Sequence, residues 1–132
     1  MENNSINPEI WGPHGWKFLH YVTMGYPIKP TNTDRNNYAL FFKSLSSVLP
    51  CEKCAMNYQK NIIEYPIEEA LDTKENLIDW LINIHNMVNR ELKKDILSNK
   101  KAREKITKVD IKFDNYYIVI IIILLVYIVS DN

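Results

Sequence analysis

Pro50-Cys51-Glu52-Lys53-Cys54 holds both cysteines of the chain. A lone C-x-x-C cannot build a disulfide framework, so whatever fold this sequence adopts must come from apolar packing. It also supplies only half of a four-thiolate zinc site, and zinc would have to recruit two of His14, His20 and His85. That Cys2His2 alternative stays open, but the setting of the pair favours redox chemistry. Pro50 forbids a helix running in from the left and puts Cys51 near the first turn of a segment continuing through Ala55, Met56, Asn57 and Tyr58. Unpaired N–H groups at a helix start, with Lys53 close by, favour a thiolate and lower a cysteine pKa. Inert buried thiols would want an apolar setting, and Glu52 and Lys53 between the cysteines argue against that.

Hydrophobic periodicity predicts four helices. The first starts at Pro13 and carries Trp16, Leu19, His20 and Thr23 at i, i+3, i+4 and i+7, ending near Gly25 and Pro27. Thr33 is the expected N-cap of a second helix with Tyr38, Phe41, Phe42, Leu45, Val48 and Leu49 on its apolar face. A third runs from Cys51 to about Asn61 and stops before Tyr65-Pro66. Thr73 with Asn76 is a cap signal for a long fourth helix marked by Leu77, Trp80, Leu81, Ile84, His85, Val88 and Leu92. Short loops make these an antiparallel four-helix bundle, with a short fifth helix from about Ser98 to Lys108. The expected fold is all-α, with a domain over residues 7–108. A thioredoxin-like reductase would need a strand before the C-x-x-C, and Phe41 to Leu49 reads as helix instead.

Sixteen Lys and Arg balance sixteen Asp and Glu, which gives no electrostatic case for nucleic acid. Three glycines in 132 residues leave no phosphate loop of the Walker or Rossmann kind. Residues 116–129, from Tyr116 through Ile118 to Val129, carry no charge. The run is shorter than the roughly 20 residues a spanning helix needs, yet tyrosines stand near both its ends. The expectation is a C-terminal transmembrane or tail-anchor helix, with a hydrophobic packing element as the alternative. Lys93, Lys94, Lys100, Lys101, Arg103, Lys105, Lys108 and Lys112 all precede the run, so the positive-inside rule places the preceding domain in the cytosol. The start of the chain shows no secretory leader pattern, in keeping with that side. In a reducing compartment a cysteine pair is more often catalytic than structural.

Polar groups interrupt the apolar stripes. Trp16 and His20 share a face of the first helix, as His85 and Asn89 do on the fourth, with Asn86 adjacent. Taken singly, each could bond a neighbour or a backbone carbonyl in the core. Together, indoles, imidazoles and amides converging between helices suit a large planar ligand with hydrogen-bonding edges and a phosphate tail, such as a flavin dinucleotide.

The blocks Trp11-Gly12-Pro13-His14-Gly15-Trp16-Lys17-Phe18-Leu19-His20, Tyr26-Pro27, Leu49-Pro50-Cys51-Glu52-Lys53-Cys54 and Trp80-Leu81-Ile82-Asn83-Ile84-His85-Asn86-Met87-Val88-Asn89-Arg90-Glu91-Leu92-Lys93-Lys94 resemble, in this order, the Erv/ALR family of FAD-linked sulfhydryl oxidases. The resemblance spans roughly residues 8 to 100 and is nearest to minimal, viral-type members. It implies an FAD-binding helical bundle that pairs into a homodimer. It also implies that Gly12, Trp16, His20, Tyr26, His85, Asn86, Val88, Asn89, Leu92 and Lys94 form the cofactor site and that Cys51 and Cys54 are catalytic, with no metal. The activity implied is oxidation of a protein dithiol, from a thioredoxin-like carrier or another protein, through Cys51/Cys54 to FAD and then to O2, giving H2O2. Cys51 is expected to be the more exposed sulfur and Cys54 the one nearer the flavin. In this picture the protein serves disulfide formation in the cytosol for virion proteins, on a virion or host membrane. A membrane-tethered zinc-binding interaction module is the alternative. Many family members brace the H-N-x-V-N segment with a structural disulfide, and its positions here are Ile82 and Asn99; packing alone is then expected to hold the fourth helix and the fifth segment. A shuttle C-x-x-C is also absent, so the substrate must reach Cys51 and Cys54 directly.

Overall fold

A computed structural model describes residues 5–107, 119, 120 and 127. Helix α1 spans Pro8–Met24 and begins earlier than Pro13 suggests. Asn7 caps it by accepting from the Glu9 amide at 3.0 Å, and Pro8 presets the backbone of the first helical residue. This Asn-Pro start outweighs the helix-breaking tendency of Pro13, which lies inside α1. Gly25 closes the helix, donating to the Tyr21 and Val22 carbonyls.

Helix α2, Asn32–Val48, is capped by Thr31 rather than Thr33. The reason is a reciprocal box: Asp34 N–H donates to Thr31 Oγ1 at 3.2 Å, and Thr31 N–H to Asp34 Oδ2 at 2.8 Å. Three residues beyond Thr33 stands Asn36, which closes no such box here. Phe42 is buried and Tyr38, Phe41, Leu45 and Leu49 pack beside it, whereas Val48, expected on this face, is exposed.

Helix α3 runs Glu52–Glu64 with Cys51 as N-cap, three residues past the expected end. Pro66 ends it by disfavouring the helical conformation at Tyr65. A 3-10 turn, Ile67–Ala70, comes next, unannounced by the sequence pattern; its buried Ile67 and Ala70 are three apart, as three residues per turn require. Helix α4, Lys74–Glu91, starts as expected at Thr73, whose side chain accepts from Asn76 N–H. It buries Leu77, Trp80, Leu81 and Ile84, but ends before Leu92, which is exposed.

α1 packs on α4, α2 on α3, and α3 on α4, with the 3-10 turn against α4 and α2. The core between them is aromatic, and its polar tips are all used. Tyr26 Oη donates to Leu71 O at 2.8 Å, Tyr58 Oη to Phe42 O at 3.0 Å, and Trp80 Nε1 to Tyr65 O at 2.8 Å. No strand occurs among the described residues. By its internal contacts the chain divides into Met1–Asn99 and Lys100–Asn132. In the second unit residues 100–107 are helical, in agreement with the expected fifth helix. The apolar run 116–129 lies outside the described residues save Val119, Ile120 and Tyr127, and among the described residues no helix is long and apolar enough to cross a membrane.

Leu71 stands outside regular helix, so its carbonyl depends on Tyr26. Tyr26→Phe is expected to lower the unfolding free energy by about 1–3 kcal/mol through one unpaired buried acceptor. Urea unfolding followed by helical circular dichroism measures this, and a loss under a few tenths of a kcal/mol would refute it.

Candidate active site

Cys51 and Cys54 are joined as a disulfide, Cα atoms 5.1 Å apart. Because Cys51 is the N-cap of α3, its Sγ stands where a capping serine oxygen would and accepts the Cys54 N–H at 3.2 Å. The sulfur pair therefore lies at the positive end of a helix. The expectation that Cys51 is the more exposed partner fails: Cys51 is 7% exposed, while Cys54 is only half-buried. The capping position draws Cys51 inward, and the chain entering α1 lies across the peptide group before it, Ile6 N–H donating to Pro50 O at 2.8 Å.

A second cluster forms where α1 meets α4. The Trp16 indole stacks on the His85 imidazole, centroids 4.0 Å apart and planes within 6°. His20 Nε2 and His85 Nδ1 are 3.1 Å apart, in hydrogen-bond contact. His20 is buried, and desolvation pulls its pKa down to about 4, so the ring is neutral near pH 7. Its Nδ1 is buried and has no hydrogen-bond partner. An unpaired buried ring nitrogen next to a stacked indole and imidazole suits a flat heteroaromatic ligand with polar edges, so these residues fit a flavin.

The other expected cofactor residues fall into helical register with this cluster. Gly12, Trp16 and His20 form one row of α1 at steps of four; His85, Val88, Asn89 and Leu92 extend along α4 at steps of three and four. Space beside Gly12 is open for close approach. Leu92 and Lys94 are exposed beyond the end of α4, where Lys93 adopts φ 55° and the Lys94 amide donates to Asn89 O at 2.8 Å. Tyr26 is fully buried; its hydroxyl donates to Leu71 O and its ring meets Tyr38 edge-on. Asn86 has a structural task. Its Nδ2 donates to Leu97 O at 2.8 Å and its Oδ1 accepts Leu97 N–H at 3.2 Å, clasping the chain after α4 back onto the helix. This corrects the expectation that packing alone holds that segment.

The disulfide caps α3, while Trp16 and His20 sit on α1 and His85 on α4. Ile6 touches Pro50, α1 starts two residues later, and Trp16 comes after about 12 Å of helix. The sequence pattern did not reveal the Ile6–Pro50 contact, nor Asn61, two turns after Cys54 on the inward face of α3, fully buried with neither amide atom hydrogen-bonded. Asn61 could have been found from its i+3 spacing to Tyr58. No group of three His, Cys, Asp or Glu able to hold a metal occurs among the described residues.

A disulfide at a helix N-terminus, in an all-helical domain that also holds a stacked indole–imidazole cluster, defines a small helical disulfide-redox protein. The sequence profile of the Erv1 / Alr family matches residues 13–109. Over 104 residues the chain is 46% identical to an Acanthamoeba polyphaga mimivirus protein named "Probable FAD-linked sulfhydryl oxidase R368", covering 78% of this chain and 73% of that protein. It is 32% identical over 97 residues to the mitochondrial FAD-linked sulfhydryl oxidase erv1 of Schizosaccharomyces pombe, covering 70% of this chain and 53% of that longer protein. The crystal structure of the yeast Erv1 core superposes with a TM-score of 0.68 at 28% identity, over 76% of this chain and 83% of that one. The chain belongs to the Erv1 / Alr family.

The site generates two expected outcomes. The folded state holds His20 neutral with a pKa near 4, whereas the unfolded chain protonates it near 6.5; the unfolded state thus binds the extra proton between those values. Stability is full above pH 6.5 and falls toward pH 4, by up to about 3 kcal/mol. Urea unfolding at pH 7 and pH 4.5 checks this, and His20→Phe is expected to flatten the difference. Asn86→Ala is expected to cost about 1–3 kcal/mol and to raise amide exchange at Leu97, whose N–H loses its acceptor.

Proposed function

We propose that this chain is an FAD-linked sulfhydryl oxidase that forms disulfide bonds in a protein dithiol, with O2 as acceptor and H2O2 as by-product. The observation that carries the reading is the helix-capping Cys51–Cys54 disulfide, with the peptide before it bonded to Ile6 at the entrance to α1, the helix that brings Trp16 and His20 to His85. The names of its mimivirus and fission-yeast relatives support the same reading.

Trp16 and His85 offer ring faces for a flavin, His20 Nδ1 a polar contact, Gly12 a close approach, and Asn89 and Lys94 groups for the ribose and phosphates. Bound there, FAD supplies two-electron acceptance and transfer to dioxygen. The chain's own cysteines perform the exchange. A substrate thiolate attacks Cys51 Sγ; a new S–S bond forms, the Cys51–Cys54 bond breaks, and Cys54 leaves as thiolate. The substrate's second thiol loses its proton and attacks the mixed disulfide, which releases Cys51 and leaves the substrate oxidised by two electrons. Charge appearing on Cys51 is met by the Cys54 N–H and the α3 N-terminus, which ease the release. Across the whole cycle, two thiols and O2 give one disulfide and H2O2.

The homodimer implied by family resemblance draws support from apolar side chains exposed on α1 and α2, namely Ile10, Phe18 and Leu40. Membrane attachment through residues 116–129, with the domain of residues 7–108 facing the cytosol, rests on the sequence pattern.

The purified chain is expected to be yellow and to consume oxygen with dithiothreitol. Cys51→Ala and Cys54→Ala each abolish turnover while keeping the flavin bands, and His85→Ala lowers flavin content. Stoichiometric zinc in a colourless protein would refute the proposal and favour the zinc-binding module.

A further inference from the structure

Residues 5–7 enter α1 without regular structure and exposed to solvent, yet they are tied down next to the disulfide. The Ile6 N–H donates to Pro50 O at 2.8 Å, and Trp11 Nε1 donates to Ile6 O at 3.2 Å. Pro50 O belongs to the peptide group that leads into Cys51. Any backbone pairing with it lies beside the reactive sulfur. Cys51 itself is 7% exposed. The Ile6 side chain is 51% exposed and adds little burial to hold the segment in place. Asn7 is held by its capping bonds to α1, but Ile6 is secured by two neutral hydrogen bonds at an exposed site, which puts it at the low end of local stability.

Resting on the thiol-oxidase reading, we propose that the Pro50 carbonyl is the docking edge for the extended, cysteine-bearing segment of a protein substrate, with residues 5–7 as its resting occupant. An incoming segment offers the same backbone N–H that Ile6 offers now and takes its place, as a strand adds to an open edge. The segment that docks is selected by backbone rather than by side chain, so the edge suits unfolded or extended dithiol substrates.

Ile6→Pro deletes the competing N–H, and Trp11→Phe removes the indole donor while keeping an aromatic ring. Both are made in the full-length, flavin-loaded chain and assayed with a reduced synthetic peptide carrying C-x-x-C in an extended sequence, and with dithiothreitol, which has no backbone to dock. The peptide KM is expected to fall about 3- to 10-fold in each variant, the scale of one lost competing hydrogen bond, while the dithiothreitol KM moves less than about twofold. A peptide KM unchanged or raised in both variants overturns the proposal. So does an equal fall for dithiothreitol, because the segment is then a plain cover. Amide exchange gives a second readout without altering the segment: in the mixed disulfide formed when Cys51 of the Cys54→Ser chain displaces thionitrobenzoate from a single-cysteine version of the peptide, which has no second thiol to resolve it, the Ile6 amide is expected to lose its protection, and retained protection overturns the docking edge. A wild-type chain with no flavin bands and no dithiol turnover removes the thiol-oxidase reading itself, a result visible before any variant is made.

Discussion

Apolar and ring packing of α1 on α4 is the contact on which the molecule depends, because its disulfide joins residues only three apart and constrains little of the unfolded chain. That packing is built from two parts with different chemistry. Leu19, Leu77, Leu81 and Ile84 belong to the shared apolar core. Trp16, His20 and His85 form a polar aromatic patch along the same seam. The first part offsets the second: burying His20 as a neutral ring, one nitrogen unpaired, is tolerable because the surrounding core closes without it.

Cys51 couples fold to chemistry in a more direct way. As N-cap it supplies the acceptor for one of the orphan amides of α3, a task usually given to serine or threonine oxygen. The same N–H faces the sulfur when it becomes a thiolate, and a hydrogen bond to a charged acceptor is stronger than one to a neutral sulfur. Reduction of the disulfide thus removes a covalent tie across the first turn of α3 while strengthening its cap. Opposing changes of this kind let the helix start stay in place through both redox states.

Much of this was legible in the residues. The Thr73 cap and the Leu77, Trp80, Leu81, Ile84 stripe specified α4, since periodicity and capping agreed there. α1 was misread at its start because Pro13 was weighed as a boundary, although Asn7-Pro8 provide both a side-chain acceptor and a preset backbone angle. Val48 and Leu92 kept to the apolar period yet stand at the last residue of α2 and just past α4, and both side chains face water. In the site, Trp16, His20 and His85 were readable from i, i+4 spacing, and the structure brings them together. Tyr26 was assigned by motif, a signal blind to its hydroxyl's use by Leu71. The clasp of Asn86 and the pairing of Ile6 were hidden for a physical reason: each bonds a backbone group, and backbone groups are the same in every sequence.

The Asn86–Leu97 clasp also explains how this chain dispenses with a second disulfide near its catalytic one. Ile82 and Asn99, the positions of the brace that family resemblance implies, are here a buried core residue and an asparagine. Two hydrogen bonds from one amide to one residue's N–H and C=O fix both the position and the direction of the chain leaving α4. Such a clasp cannot be attacked by a thiolate. With two cysteines in these 132 residues, the proposed thiol exchange has one disulfide here to act on. On the proposed thiol-oxidase reading, a brace made by an amide rather than by sulfur gives up some unfolded-state constraint and leaves a single disulfide for exchange.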